Sequence, residues 1–191
     1  QSFPTLFTKR LIYLNMRHFT FLFLLLLTSF LNAQTIYVKA NATGANNGTS
    51  WANAYTSLQN ALTNPCVSNT QVYVAQGTYR PDVGQGLVLN NRNASFVIPD
   101  GYKVYGGFPT GGDVFNNRKP ETYATILTGN IGSLANAADN SYHIVTINGN
   151  NTLLDGFTIS EGYANDNANS GGGGIYMQQQ GTLSSIHRAT V

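Results

Sequence analysis

The sequence predicts an all-β protein: a solenoid of short parallel strands preceded by one short amphipathic helix. Three observations lead there. Strand-length apolar runs recur over residues 71–177, separated by Gly, Asn and Asp. Their spacing is irregular, with pairs of short strands bent at Asp-Gly or Asn-Gly and then a long polar loop. A meander of hairpins would instead show two-residue turns between equal strands. Only residues 51–62 carry a helical period.

The chain opens with an export signal. Met16, Arg17 and His18 form a positive n-region, residues 19–31 are almost wholly apolar, and Ala33 offers a small residue before Gln34. That order predicts a signal peptide over 16–33, cleaved between Ala33 and Gln34. The 13 residues of 19–31 fall short of a membrane span, which takes about 20. Residues 1–15 hold no Met and read as upstream sequence or an extended n-region.

Removal of the signal changes the charge. The whole chain is +2, but Lys9, Arg10 and Arg17 precede the cleavage point and no acid does, leaving seven bases against eight acids, a net of −1. That balance gives no electrostatic footprint for nucleic acid and no polybasic run for an anionic membrane. Cys66 stands alone, so it makes no internal disulfide and reads as a small buried apolar residue.

Each remaining element has a local reason. Residues 35–39 are β-prone, and 41–50 form an Asn/Gly/Thr loop. Ser50 is placed to cap a helix, and Trp51, Ala54, Tyr55, Leu58, Ala61 and Leu62 make one apolar stripe until Asn64-Pro65 stops it. Residues 34–65 are thus an amino-terminal strand and capping helix. Residues 66–191 are coils, with strand runs at 71–75, 95–98, 102–105, 124–127, 143–147, 152–154, 156–159 and 174–177. In a stack of coils the inward residues build a continuous column. Asn at corners can ladder, and Gly turns the chain at positive φ. The open end needs covering, a task for the helix.

The order of motifs resembles that of secreted right-handed parallel β-helix proteins of the pectate-lyase-like superfamily. Tyr37-Val38-Lys39, the run from Gly44 to Trp51, and Ala54 to Leu62 resemble their amino-terminal segment. Val72 to Tyr79 is similar to their first coil; Tyr105-Gly106-Gly107-Phe108, Arg118 and Thr125 to Gly132 continue it. Leu154 to Ile159 and Gly172 to Tyr176 resemble polymorphic outer-membrane-protein-type repeats, although the usual Phe-x-x-Asn companion is missing after Ile175. The resemblance implies a right-handed β-helix, secreted or on the surface of a Gram-negative bacterium. It also implies further coils and a sorting domain, so the chain is expected to be an amino-terminal fragment.

The resemblance implies two activities. A polysaccharide lyase would need acidic Ca²⁺ ligands and a basic residue. Calcium takes six to eight oxygens, and the richest loop is Glu161, Asn165, Asp166 and Asn167. Glu161 and Asp166 are therefore the candidate metal ligands, and Ca²⁺ the cofactor to consider; the plainer reading is a solvated loop. A glycoside hydrolase would need paired carboxylates, for which Asp139, Asp155 and Glu161 are nearest. Asp155 before Gly156 reads first as a turn residue, and His143, without a nearby nucleophile, as structural. Gly171 to Gly174 lacks the Lys-Ser/Thr of a phosphate cradle and reads as a tight corner. Trp51, Tyr55, Tyr79, Tyr102, Tyr105 and Tyr163 could stack on sugars, with packing the default. No catalytic set converges, so the expected function is a surface or secreted module binding glycan or matrix. The alternative is the amino-terminal part of a lyase or hydrolase whose catalytic coils lie beyond residue 191.

Overall fold

A computed structural model describes residues 33–64, 69–165, 171–177, 185–187 and 189–190. The export segment through Asn32, Cys66 and Asp166 lie outside the described residues. The elements are β1 (Thr35–Val38), α1 (Leu58–Leu62), β2 (Gln71–Ala75), β3 (Gly77–Tyr79), β4 (Phe96–Ile98), β5 (Lys103–Phe108), β6 (Thr125–Thr128), β7 (Val145–Ile147), β8 (Leu153–Asp155), β9 (Thr158–Ser160), β10 (Ile175–Met177) and β11 (Ser185–His187). Short 3₁₀ turns lie at Phe115–Asn117 and Ala137–Asp139.

The protein is all-β, and its named strands pair in parallel throughout. Three sheets form, in the orders β1-β2-β5-β8-β11, β3-β6-β9 and β4-β7-β10. From β2 onward the chain visits the first, second and third sheet in rotation.

Alternation along each strand decides what is buried, because successive side chains point to opposite faces. In the first sheet Ile36, Val72, Val104 and Leu154 occupy one register row and are all buried. In the second, Tyr79, Leu127 and Ile159 align. In the third, Phe96 meets Val145 and Ile98 meets Ile147. All belong to a single apolar cluster. Each fully buried aliphatic side chain there contributes roughly 1.5–3 kcal/mol.

The helix is shorter than its period predicts. Residues 51–62 were expected to be helical from a cap at Ser50, but only Leu58–Leu62 is, and the cap is Ser57, whose Oγ accepts from the Gln59 amide at 3.1 Å. Tyr55 is diverted into a parallel bridge with Val38. Its N–H donates to the Tyr37 carbonyl at 2.9 Å, and its carbonyl accepts from the Lys39 amide at 2.8 Å. Pairing with β1 holds that backbone extended, so local periodicity yields to the sheet. Helix α1 packs against β4 and β1. Its buried Gln59 donates through Nε2 to the carbonyls of Pro81 and of Ser95, the residue before β4, at 3.0 Å for Ser95.

The corners use backbone freedom where the sequence placed glycine. Gly156 has φ +84°, and a Cβ there would lie 2.4 Å from Arg118 Nη2 and 2.8 Å from Pro120 Cγ. The expected asparagine ladder is not what the corners use. Asn46 and Asn53 accept from the amides of Thr56 and Ala45 within one loop, Asn60 from that of Gln85, and Asn130 and Asn165 bond Glu161 and Arg92. Their positions do not repeat in register, so amides cannot stack one above another.

Candidate functional site

The outward face of the five-stranded sheet follows from the same alternation. Ile36 and Val38 point inward, so Tyr37 points out; Val72 and Val74 put Tyr73 out; Val104 puts Tyr105 out. Parallel pairing in register then aligns the three tyrosines. Tyr37 and Tyr73 meet edge to face with centroids 5.8 Å apart, as do Tyr73 and Tyr105 at 6.0 Å.

Two loops add further rings. Trp51 lies 5.0 Å from Tyr37 and 5.2 Å from Phe108, and its Nε1 donates to the Asp113 carbonyl at 3.0 Å. The indole can rest there because residue 112 is glycine; a Cβ would sit 2.2 Å from Trp51 Cγ. Phe115 lies 5.5 Å from Tyr73 and 4.9 Å from Tyr105. It is 37 % exposed, beside Val114 at 65 %. The result is a half-buried aromatic platform with an apolar rim.

Asp155 takes the next position in the tyrosine row, opposite Tyr105. It is a buried strand residue rather than the expected turn residue, because Arg118 reaches across to it. Arg118 Nη1 donates to Asp155 Oδ2 at 2.8 Å, Nη2 to the Asp155 carbonyl at 2.9 Å, and Nε to the Gly106 carbonyl at 2.9 Å. Both side chains are buried, at 5 % and 7 % exposure. The guanidinium carbon lies 5.2 Å from the Tyr105 ring centre and 5.4 Å from that of Phe115, within cation–π range.

Tyr73 and Tyr105 stay protonated at neutral pH. Burial pushes Tyr73 above its ordinary value, helped by Tyr37 and Tyr105 and opposed by Arg118. Burial likewise raises Tyr105, with Arg118 lowering it and Asp155 raising it. The platform therefore offers ring faces and neutral hydroxyls, with Tyr73 donating to Gln71 Oε1 at 2.6 Å. That chemistry suits stacking and hydrogen bonding.

The other predicted residues are dispersed. Glu161 accepts from Thr128 Oγ1 and from Asn130 Nδ2, bonds that hold its carboxyl below the ordinary value. Asp139 accepts from the Ser133 amide. Asp155 is bound to Arg118, Glu161 to Thr128 and Asn130, and Asp139 to the Ser133 amide. In the loop expected to supply calcium ligands, Asn165 Oδ1 accepts from Arg92 at 2.7 Å. His143 stacks on Tyr176 at 4.7 Å. Tyr79 and Tyr102 are buried, with hydroxyls on the carbonyls of Ala75 and Asn64. Tyr163 is 41 % exposed, away from the platform's ring contacts. Gly162 and Gly173 pack backbone to backbone, where a Cβ on Gly162 would lie 2.0 Å from the Gly173 carbonyl oxygen. Gln34 accepts from the Gln71 amide at 2.8 Å, just ahead of β1.

Of the platform, the sequence reading named only Trp51 and Tyr105. Tyr37, Tyr73, Phe108 and Phe115 were missed. The available signal was the recurring β-branched–Tyr–β-branched pattern in β1 and β2, echoed by Val104-Tyr105. Compared with known proteins, the chain matches no family model, no curated protein and no solved structure.

Proposed function

We propose that this chain is an exported right-handed β-helix solenoid whose outer aromatic face binds glycan or matrix polysaccharide. The aligned row Tyr37, Tyr73 and Tyr105, walled by Trp51 and Phe115, carries the reading. Three strands at about 4.8 Å spacing give a row roughly 10 Å long, along which alternating ring faces and edges could meet an extended chain. The rotation of strands through three parallel sheets supports the solenoid, and the apolar run before Ala33 supports export and a place outside the cytoplasm.

The experiment is a binding panel of pectins, alginates and related glycans against the full chain, by calorimetry and retention on polymer gels. Phe115→Ala should weaken binding roughly three- to tenfold, since one aromatic contact is worth about 0.5–1.5 kcal/mol beyond its area. Its melting temperature should fall by only a few degrees, because the ring is 37 % exposed. Equal binding by Phe115→Ala and Trp51→Ala variants would remove the platform from the reading. Release of unsaturated or reducing sugars would instead favour a lyase or hydrolase. Amino-terminal sequencing of exported protein should begin at Gln34.

A further inference from the structure

Among the described residues, four buried side-chain oxygens lack a hydrogen-bond partner: Asn130 Oδ1, Asp139 Oδ1, Asn140 Oδ1 and Ser141 Oγ. Native folds rarely leave such groups unmade, and each deserves a cause. Here all four fall within one short stretch, and three belong to consecutive residues. Asn140 is 4 % exposed and Ser141 fully buried.

Backbone contacts bring the two ends of this stretch together. The Ser141 amide donates to the Gly129 carbonyl at 2.9 Å, next to Asn130. The Ser133 amide donates to Asp139 Oδ2 at 2.9 Å. Gly132 makes room for that carboxylate, since a Cβ there would lie 2.4 Å from Oδ2 and 3.0 Å from Oδ1. Asn130 Nδ2 donates to Glu161 Oε1 at 3.2 Å, which fixes the amide and leaves its Oδ1 for another partner.

We propose that these four oxygens form a calcium-class cation site closing the loop between Gly129 and Ser141. Ser141 Oγ can donate as well as accept, yet it satisfies none of the other three. It thus makes no hydrogen bond to them, whereas oxygens on opposite sides of a calcium ion, each at 2.3–2.6 Å from it, stand up to about 5 Å apart and leave one another unbonded. The donor set is oxygen only, which suits a hard cation rather than zinc. Magnesium demands near-ideal octahedral geometry and parts reluctantly from water, so a site of mixed carboxylate, amide and hydroxyl favours calcium. Backbone carbonyls or waters complete the six to eight ligands.

The charge balance sets the affinity class. Asp139 supplies the direct negative charge, and Glu161 a second one through Asn130. Opposing them, Arg92 Nε bonds the Asn140 carbonyl at 2.7 Å, while Arg80, which bonds the Ile131 carbonyl, is neutralised by Asp82 at 2.7 Å. One carboxylate in direct contact and a nearby guanidinium place the site with extracellular modules, at a Kd of about 10⁻⁴–10⁻³ M.

The test uses the full chain stripped with chelator, then titrated with CaCl₂ and, separately, MgCl₂. At ten times Kd the melting temperature should rise about 3–6 °C with calcium and less with magnesium. Terbium luminescence sensitised through the neighbouring Tyr142 should report occupancy. Asp139→Asn keeps an acceptor for the Ser133 amide and should weaken calcium at least tenfold. Ser141→Ala should lose most of the calcium response while being as stable as the parent in chelator. Asp166→Asn should respond like the parent. No calcium-specific shift, an unchanged response in both Asp139→Asn and Ser141→Ala, or loss of the response in Asp166→Asn alone would each overturn the site.

Discussion

Replacing Asp155 by alanine strands a guanidinium that folding has taken out of water. Arg118 is only 5 % exposed at its side chain, and among the described residues Asp155 Oδ2 is its one charged partner, at 2.8 Å. Removing one member of a buried pair costs about 3–5 kcal/mol, mostly the penalty of the uncompensated charge. For a domain of this size each kcal/mol moves the melting temperature about 2–4 °C, so Asp155→Ala should lower it by about 6–20 °C. Asp155→Asn retains an acceptor and should fall between. The paired variant Arg118→Met/Asp155→Ala removes the stranded charge, so its loss should be smaller than the sum of the single losses by about 0.5–3 kcal/mol. Urea and thermal unfolding of the parent, Asp155→Ala, Asp155→Asn, Arg118→Met and the double variant measure this. A cost below about 1 kcal/mol for Asp155→Ala, or strict additivity in the double variant, would refute the reasoning.

Gly156→Ala must accept φ +84° and a contact of 2.4 Å with Arg118 Nη2; a loss of about 2–4 kcal/mol in urea unfolding is expected. Ser57→Ala removes the acceptor for the Gln59 amide and should cost about 1 kcal/mol, whereas Ser50→Ala, which touches no helix, should cost less. Burial raises the Tyr79 phenol far above its ordinary value of 10.0, with a backbone contact at Ala40 opposing the shift. A raised folded value means the stabilisation is complete below pH 10 and is lost as pH climbs beyond it. Melting temperatures above pH 10 should therefore fall more steeply in the parent than in Tyr79→Phe.

Nine of the eleven strands among the described residues were legible because their cause is local; β3 and β11 lie outside the expected runs. In β2, Val72 and Val74 must go inward, and nothing distant can reverse a two-residue period. The helix was only half legible, because Trp51 and Tyr55 satisfy a 3.6 period by position while their partners lie elsewhere. Trp51 answers to Asp113 and Tyr37, and Tyr55 to β1. The site was hardest to read. The tyrosine row depends on register among residues 37, 73 and 105, and register is not written at any one of them. Arg118 and Asp155 stand 37 residues apart, so each looks like an ordinary polar residue until the corner brings them together. Residues 130–141 pose the same difficulty in another form, since what singles out those oxygens is the partners that folding denies them.

The register row Tyr37, Tyr73, Tyr105, Asp155 and His187 changes chemistry at its fourth position. That change limits the platform and also anchors it. Arg118 ties the Gly106 corner of β5 to the Asp155 corner of β8, and its guanidinium lies beside Tyr105 and Phe115. The buried pair and the aromatic face are therefore mechanically one unit. A guanidinium released by Asp155→Ala would seek water through the loop that carries Phe115. Stability and glycan binding should then fall together in Asp155→Ala, whereas Phe115→Ala should lower binding with a smaller fall in melting temperature than Asp155→Ala. If Asp155→Ala, assayed below its own melting temperature, binds as tightly as the parent, the pair supports the fold alone and the platform owes nothing to it.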